Sequence, residues 1–262
     1  MDPKDIAGAM RRLRARSLEL LDGLSDAELT VEAVPGWSVL DVFRHLATSD
    51  RGSVLGAHLL HFRAGQDLDD IERLNDELVA GVRQEARAAV RADLATWGSR
   101  LATVTGLAPR ALARVTIPTA FGRLPLAWMG GLRLYDEWVH QWDVTQAVGR
   151  PDPPMDADLR ELLAEFQLRA LPAGPLRTLD RRDGVVEVRF RDVTRTPWRF
   201  DLRRREFGEF VRSAPTVAVV ADVPSWCLLA GARRGWRDLP GIEVTGRDEA
   251  AAGALLDVVR VV

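Results

Sequence analysis

The sequence predicts an α+β protein in which a four-helix bundle precedes a smaller α+β domain. Up to residue 150, apolar residues recur at intervals of three and four, the spacing of a helix with one buried face. After the prolines at 151, 153 and 154, short segments with the alternation of strands follow. We therefore expect one domain over residues 1–150 and a second over residues 151–262.

Four helices are predicted in the first half. The first spans Ile6–Leu24, and the second begins after Ser38, which with Asp41 forms a capping-box pattern. One continuous apolar pattern from Ile71 to Leu101 indicates the third. The fourth runs from Pro125, a good first-turn residue, to Gly149, a good C-terminal cap. Four such helices with short connections favour a bundle.

The second half is predicted to combine helices with a small sheet. A helix is expected near residues 156–171 and a closing helix near residues 247–259. Four strands are indicated between them: Val185–Phe190, Trp198–Leu202, Thr216–Ala221 and Ile242–Thr245. The first two are close enough to form a hairpin, and we expect an antiparallel sheet.

Composition excludes several classes of function. The 262 residues include 36 basic and 38 acidic ones, and a net charge of −2 argues against general binding to nucleic acid or to an anionic membrane. No apolar run reaches the ~18 residues that a membrane helix needs. The first residues are charged where a secretory signal is apolar, so we expect a cytoplasmic protein.

Few residues are available for metal or acid–base chemistry. Cys227 is the only cysteine, which excludes an internal disulfide and a cysteine-cluster metal site. The four histidines are His45, His58, His61 and His140. We expect His58 and His61, near the end of the second helix, to be exposed, which leaves His45 and His140 as the candidates.

The fourth helix carries a polar group on its apolar face. Steps of three and four place six residues on that face: Met129, Leu132, Asp136, Val139, His140 and Asp143. Asp136, His140 and Asp143 are therefore expected to point at least partly inward. Glu137 shares a different face with Arg133 and Gln141, and we expect that face to be solvated.

Inward carboxylates and imidazoles are costly unless they are paired or bind a metal. Asp136 and His140 have side-chain origins ~6 Å apart, so both can reach one cation. His45, on the inward face of the second helix, can supply a third ligand. Two imidazoles and one carboxylate with an open position are typical of catalytic zinc, although other transition-metal sites look alike. From spacing alone, a hydrogen-bonded His–Asp pair is the commoner alternative.

Two segments resemble the mycothiol-dependent maleylpyruvate isomerase family, which belongs to the DinB-like metal-binding helix bundles. Gly36–Ala47, with Trp37 and His45, is similar to the family's second-helix motif, and Asp136–Gly149 is similar to its later motif. The resemblance implies a divalent metal, with zinc as the first candidate, bound by His45, Asp136 and His140. The family usually has Glu where this chain has the shorter Asp136, which puts the metal affinity and the activity in question.

The resemblance extends weakly into the second half. Family members carry a sterol-carrier-like C-terminal domain, and Leu229–Gly235 followed by Ile242–Gly246 is similar to a turn and strand in it. This implies that Arg233 or Arg234 binds a substrate carboxylate through a bidentate pair. A surface arginine in a loop is at least as common an explanation.

The resemblance also implies a chemistry. A metal with an open position lowers the pKa of a bound thiol, and mycothiol would be that thiol cosubstrate. Its thiolate would add to the double bond of maleylpyruvate, allow rotation and leave, which yields fumarylpyruvate, while Asp143 orients His140. Cys227 lies in an apolar run and is expected to be a packing residue.

The sequence leaves two alternative functions open. A mycothiol S-transferase, acting in detoxification or natural-product biosynthesis, would use the same first step but leave the thiol on the electrophile. A non-catalytic module that binds a small molecule or a lipid would use neither step. In each case the expected partners are small molecules, with no nucleic acid or membrane, and no motif reports the oligomeric state.

Overall fold

The computed structural model describes residues 1–56, 68–119, 122–173, 179 and 183–259. The chain divides into two compact units, residues 1–154 and residues 155–262, called here the N-terminal unit and the C-terminal unit. Helices dominate the first and a sheet with helices forms the second, so the α+β class is confirmed. His58 and His61, which were expected to be exposed, lie outside the described residues.

The described part of the N-terminal unit contains five long helices, two short ones and two small hairpins. The long helices are α1 (Pro3–Asp22), α3 (Val39–Val54), α4 (Leu68–Val82), α5 (Arg87–Leu107) and α7 (Leu126–Ala147). The short helices are α2 (Asp26–Leu29) and α6 (Arg110–Ala113), and the hairpins are β1 (Glu32–Val34) with β2 (Trp37–Ser38) and β3 (Thr116–Thr119) with β4 (Gly122–Pro125).

The single third helix predicted from Ile71 to Leu101 is wrong. The structure has two helices there, α4 and α5. The connection between them ends at Ala86, the N-cap residue of α5, whose backbone is extended (ψ 155°). Apolar spacing does not reveal this break, because the buried stripes of two successive helices can continue the same period across a short turn.

The helices that carry the predicted site are fixed by packing and by capping. Helix α1 packs against α5 and α7, and α3 packs against α5. A Cβ at Gly130 of α7 would lie 2.7 Å from Ile6 of α1, so glycine permits the close approach of these helices. The predicted capping box is present: Ser38 Oγ accepts from the Asp41 amide and Asp41 accepts from the Ser38 amide. The start of α3, and hence the place of His45, is thereby set.

The C-terminal unit is a five-stranded sheet with three described α-helices and a short 3-10 helix, Trp236–Asp238. Its elements are α8 (Ala157–Ala173), β5 (Val185–Phe190), β6 (Trp198–Asp201), β7 (Glu206–Gly208), β8 (Val217–Ala221), α9 (Val223–Ala230), β9 (Ile242–Gly246) and α10 (Glu249–Leu256). The strand order is β7-β6-β5-β8-β9. Helix α10 packs against β5, β8 and β9, and α8 packs against α9.

The predicted hairpin is confirmed, but the expectation of an antiparallel sheet is wrong. Strands β5 and β6 pair antiparallel, whereas β5 and β8 pair parallel. The chain leaves the β6–β7 edge and crosses to the other side of β5 before β8 begins, which makes the sheet mixed. Helix α9 was not predicted; Asp222 caps it by accepting from the Ser225 amide.

Among the described residues, no helix combines the length and the apolar character needed to span a membrane.

Candidate metal centre

The three predicted ligands come together inside the N-terminal unit. His45 lies on α3, and Asp136 and His140 lie one turn apart on α7. One potential ligand atom from each residue lies within 4.8 Å of the other two. His45 Nε2 is 3.4 Å from Asp136 Oδ2, and His140 Nε2 is 3.6 Å from Asp136 Oδ1. Their role as metal ligands stays a prediction.

One atom of this group lacks a hydrogen-bonding partner. His45 Nε2 is buried and makes no hydrogen bond. A buried polar atom of this kind needs an explanation, and binding of an ion is one of the few available. The structure does contain a hydrogen-bonded His–Asp pair, His140 with Asp143 at 2.9 Å. The distances from Asp136 to the two imidazoles exceed the usual 2.7–3.2 Å of an N–H···O bond, so hydrogen bonding does not explain why Asp136 lies between them. The residues present therefore fit a divalent cation.

The charge states also suit a metal. Burial lowers the pKa of His45, and the opposing attraction of Asp136 does not overcome that effect. For Asp136, burial alone would raise the pKa, but Arg133 and the two imidazoles hold it well below its usual range. A neutral imidazole and an ionised carboxylate are the forms that bind metal ions.

Neighbouring side chains fix the orientation of both rings. His140 Nδ1 lies 2.9 Å from Asp143 Oδ2, which leaves Nε2 on the side of Asp136. The ring of Trp37 packs beside both imidazoles, with centroid distances of 5.0 Å to His45 and 6.2 Å to His140. Trp37 Nε1 donates to Asp76 at 2.7 Å, which ties this ring to α4.

The face of α7 that was expected to be solvated is buried, so that prediction is wrong. It belongs to a group called here the ion-pair cluster: Arg14, Ser17, Asp50, Arg133, Glu137 and Gln141. Glu137 accepts from Arg14 at 3.1 Å and from Ser17 at 2.7 Å. The physical reason is that α1 packs on this side of α7 and supplies the polar partners itself. Burial raises the pKa of Glu137, opposed by the charge of Arg14.

Sequence reasoning did not single out Arg14 or Asp50, and it placed Arg133 on a face expected to be solvated. Arg14 Nη2 donates to Asp50 Oδ2 at 2.5 Å, and Arg133 contacts both Asp50 and Asp136. One signal was present: Arg133 precedes Asp136 by three residues, a spacing that lets helical side chains pair. Nothing comparable in the sequence links α1 to α3.

The predicted residues of the C-terminal unit lie near the end of α9. Arg233 is half-buried, with Nη1 donating to the Gly231 carbonyl at 2.7 Å, and Arg234 is exposed. Ala232 between them and α9 has φ 53°, a left-handed turn. Their role in carboxylate binding stays a prediction. Cys227 is fully buried, and burial raises the pKa of its thiol.

Comparison with known proteins identifies the family. The model of the mycothiol maleylpyruvate isomerase N-terminal domain matches residues 10–145, about half of the chain, and the matched segment contains all three predicted ligands. The chain belongs to this family. The resemblance inferred from the two motifs is therefore confirmed. A search of curated proteins finds no match.

Solved structures show a similar fold. The crystal structure of the mycothiol-dependent maleylpyruvate isomerase matches with a TM-score of 0.55 and 15% identity, over 94% of this chain and 93% of that chain. A histidine-to-alanine mutant of that isomerase matches with a TM-score of 0.54 and 14% identity, over the same shares. At these identities the likeness is one of fold, and it covers both units.

Proposed function

We propose that this protein is a metal-dependent enzyme that uses a low-molecular-weight thiol, mycothiol, to isomerise a small substrate with an electrophilic double bond. Family membership supports the class of enzyme. The observation that carries the proposal is the buried His45 Nε2, which has no hydrogen-bonding partner and faces Asp136 beside His140. Burial of such an atom is costly unless something binds it, and a bound metal ion would offset that cost.

The residues that would hold the cation are His45, Asp136 and His140. Two imidazoles and one carboxylate leave a coordination position open, which is the pattern of catalytic rather than structural zinc sites. Zinc is therefore the first candidate. Asp143 keeps the His140 ring turned so that Nε2 remains available, and packing against Trp37 restrains both rings.

A divalent cation in such a site lowers the pKa of a thiol that binds in the open position, so that the thiolate form is available at neutral pH. The protein cannot supply the thiol itself. Cys227 is the only cysteine of the chain, it is fully buried, and burial raises the pKa of its thiol. The sulfur nucleophile must therefore come from a small molecule.

The reaction proposed is a reversible addition. The thiolate forms a carbon–sulfur bond at one carbon of a cis double bond conjugated to a carbonyl, and the electron pair moves onto the carbonyl oxygen. Rotation about the new single bond follows. Expulsion of the same thiolate restores the double bond in the trans form, so no thiol is consumed. Maleylpyruvate is the substrate that the family resemblance suggests, and Arg233 and Arg234 remain the candidates for binding its carboxylates.

Metal content tests the first part of the proposal. The full chain purified without chelator should carry close to one equivalent of a divalent metal, and His45→Gln should abolish it. The matched control is Arg44→Gln, which breaks the buried ion pair of Arg44 with Asp41 on the same helix but leaves the three ligands in place. A metal-free wild-type protein, or equal metal loss in both variants, contradicts the proposal.

Thiol stoichiometry tests the second part. Incubation with maleylpyruvate and a small fraction of an equivalent of mycothiol should convert all the substrate if the protein is an isomerase. Consumption of one thiol per product would establish the S-transferase alternative. A protein that carries a bound lipid and no metal, and accelerates neither reaction, would be the binding module.

A further inference from the structure

Arg133 joins the candidate metal centre to the ion-pair cluster. Its Nη1 donates to Asp136 Oδ2 at 2.5 Å, and its Nη2 donates to Asp50 Oδ1 at 3.1 Å. A guanidinium is a rigid planar fork, so the two contacts fix the distance and the angle between the carboxylates. One belongs to α7 and the other to α3, the two helices that also carry the imidazoles.

Asp50, the carboxylate that Arg133 contacts on α3, is itself held in place. Asp50 is 1% exposed, and its second oxygen accepts from Arg14 of α1 at 2.5 Å. Asp50 is therefore held by two guanidinium groups at once and has little freedom to move. Arg133, whose side chain is 11% exposed, takes its position from that fixed point.

The orientation of Asp136 depends on this anchor. The terminal torsion of an aspartate side chain is broad, so the carboxylate plane is not set by its own rotamer preference. With Oδ2 held by Arg133, Oδ1 faces His140 Nε2 at 3.6 Å and Oδ2 lies 3.4 Å from His45 Nε2. The fork thus turns the carboxylate toward the space between the two rings.

We propose that Arg133 is a positioning residue of the metal centre, which holds Asp136 in its ligand orientation by bracing it against Asp50. This inference rests on the proposed function. Arg133 also brings a positive charge that would repel a cation, but in the ion-pair cluster the two guanidinium charges of Arg14 and Arg133 face the two carboxylates Asp50 and Glu137. We therefore expect the restraint to outweigh the repulsion.

Arg133→Gln separates the two effects because they have opposite signs. Charge alone predicts tighter metal binding after this change, whereas loss of positioning predicts weaker binding. Zn²⁺ and Co²⁺ affinities of the purified full chain, measured by competition with a chelator, should fall by about 10-fold or more, the typical result of losing a partner of a metal ligand. Arg133→Lys, which keeps the charge and one contact, should recover part of the loss.

The matched control is Arg44→Gln. Arg44 and Asp41 form a buried pair with the same spacing of three residues, at 2.9 Å, and neither is a predicted ligand. Both variants should lower the melting temperature of the metal-free protein, but only Arg133→Gln should reduce the rise in melting temperature on adding Zn²⁺. If the zinc-induced rise in melting temperature fell equally in both variants, Arg133 would have only a general structural role, and the inference would be overturned.

The double variant Arg133→Gln/Asp50→Asn controls for instability of the single variant, because it removes both charges of the Arg133–Asp50 ion pair. It removes one positive and one negative charge, so the net charge near the site is kept, and no carboxylate remains at position 50 that has lost its bond to Arg133. Its metal affinity should still be about 10-fold weaker than that of the wild type.

Unchanged or tighter metal binding by either the single or the double variant overturns this inference alone, provided that the wild type binds metal and His45→Gln does not. Absence of metal binding by the wild type overturns the proposed function as well.

Discussion

The two polar sides of α7 are both buried, but they differ in the kind of atom that they leave without a partner. On the side of the imidazoles, the unpartnered atom is His45 Nε2. In the ion-pair cluster, the unpartnered atoms are Nε and Nη1 of Arg14 and Nε of Arg133, whereas the carboxylates are bonded. An imidazole nitrogen can offer a lone pair to a cation, and a guanidinium nitrogen never can. Burial of charge alone therefore does not mark a site; a free lone pair among converging ligands does.

The largest expected effect is the loss of metal binding when a residue on the imidazole side of α7 is changed. His45→Gln should weaken Zn²⁺ binding by at least 100-fold, because it removes a directly bound ligand and losing an outer partner already costs about 10- to 100-fold. Chelator competition measures this. Retention of near wild-type affinity would mean that the metal, if bound, lies elsewhere.

Glu137→Ala should lower the free energy of unfolding but leave the zinc affinity nearly unchanged. Removing one partner of a buried ion pair costs about 3–5 kcal/mol, and we expect the lower end because Arg14 keeps its bond to Asp50. Zinc affinity should change by less than about threefold, since Glu137 bonds to Arg14 and Ser17 rather than to the ligands. Chemical denaturation of the metal-free protein gives the first quantity. If Glu137→Ala loses metal as His45→Gln does, the two sides of α7 act as one site.

A smaller effect is expected where α5 makes room for Arg14. A Cβ at Gly98 would lie 2.8 Å from Arg14 Nε, so Gly98→Ala should displace this side chain and cost about 1–3 kcal/mol of unfolding free energy. Gly81→Ala is the matched control, because nothing lies within 4 Å of a Cβ there and alanine should be neutral or slightly stabilising. Equal effects of both substitutions would show that Arg14 is not tightly held.

The smallest effect concerns pH. Burial keeps the pKa of His45 below its ordinary value of 6.5, so the unfolded chain takes up a proton more readily than the folded one. Stability from this group is therefore present above that value and is lost as pH falls toward the lowered pKa. The metal-free wild type should lose more stability than His45→Gln between about pH 7.5 and about pH 5.5. Identical pH profiles would contradict the burial of a neutral His45.

Sequence periodicity placed Asp136, His140 and Asp143 correctly on one face, because spacings of three and four on a helix fix that relation locally. Helical spacing placed His45 on the inward face of α3, and the family resemblance implied the same ligand. That His45 meets the other two depends on how α3 packs in the same unit, which spacing does not give. Glu137 was misassigned for a related reason. A polar stripe usually faces water, and only the partner helix reveals that α1 brings Arg14 and Ser17 to meet it.

In the C-terminal unit, too, local patterns were predictable from the sequence and the packing between distant segments was not. The β5–β6 hairpin follows from two alternating segments and a short connection, so it was predictable. The parallel pairing of β5 with β8 depends on which side of β5 the chain returns to, and no local pattern encodes that choice. Helix α9 was missed because its apolar sequence lacks the periodicity of a half-buried helix; most of its residues are buried.

Diffraction from crystals grown with zinc, recorded at the zinc absorption edge, tests the central claim most directly. The account predicts one anomalous peak within coordination distance of His45 Nε2, His140 Nε2 and an oxygen of Asp136, with Arg133 still bonded to that carboxylate. Crystals in ample zinc that show no peak there, with both rings satisfied by neighbouring protein groups, would contradict it.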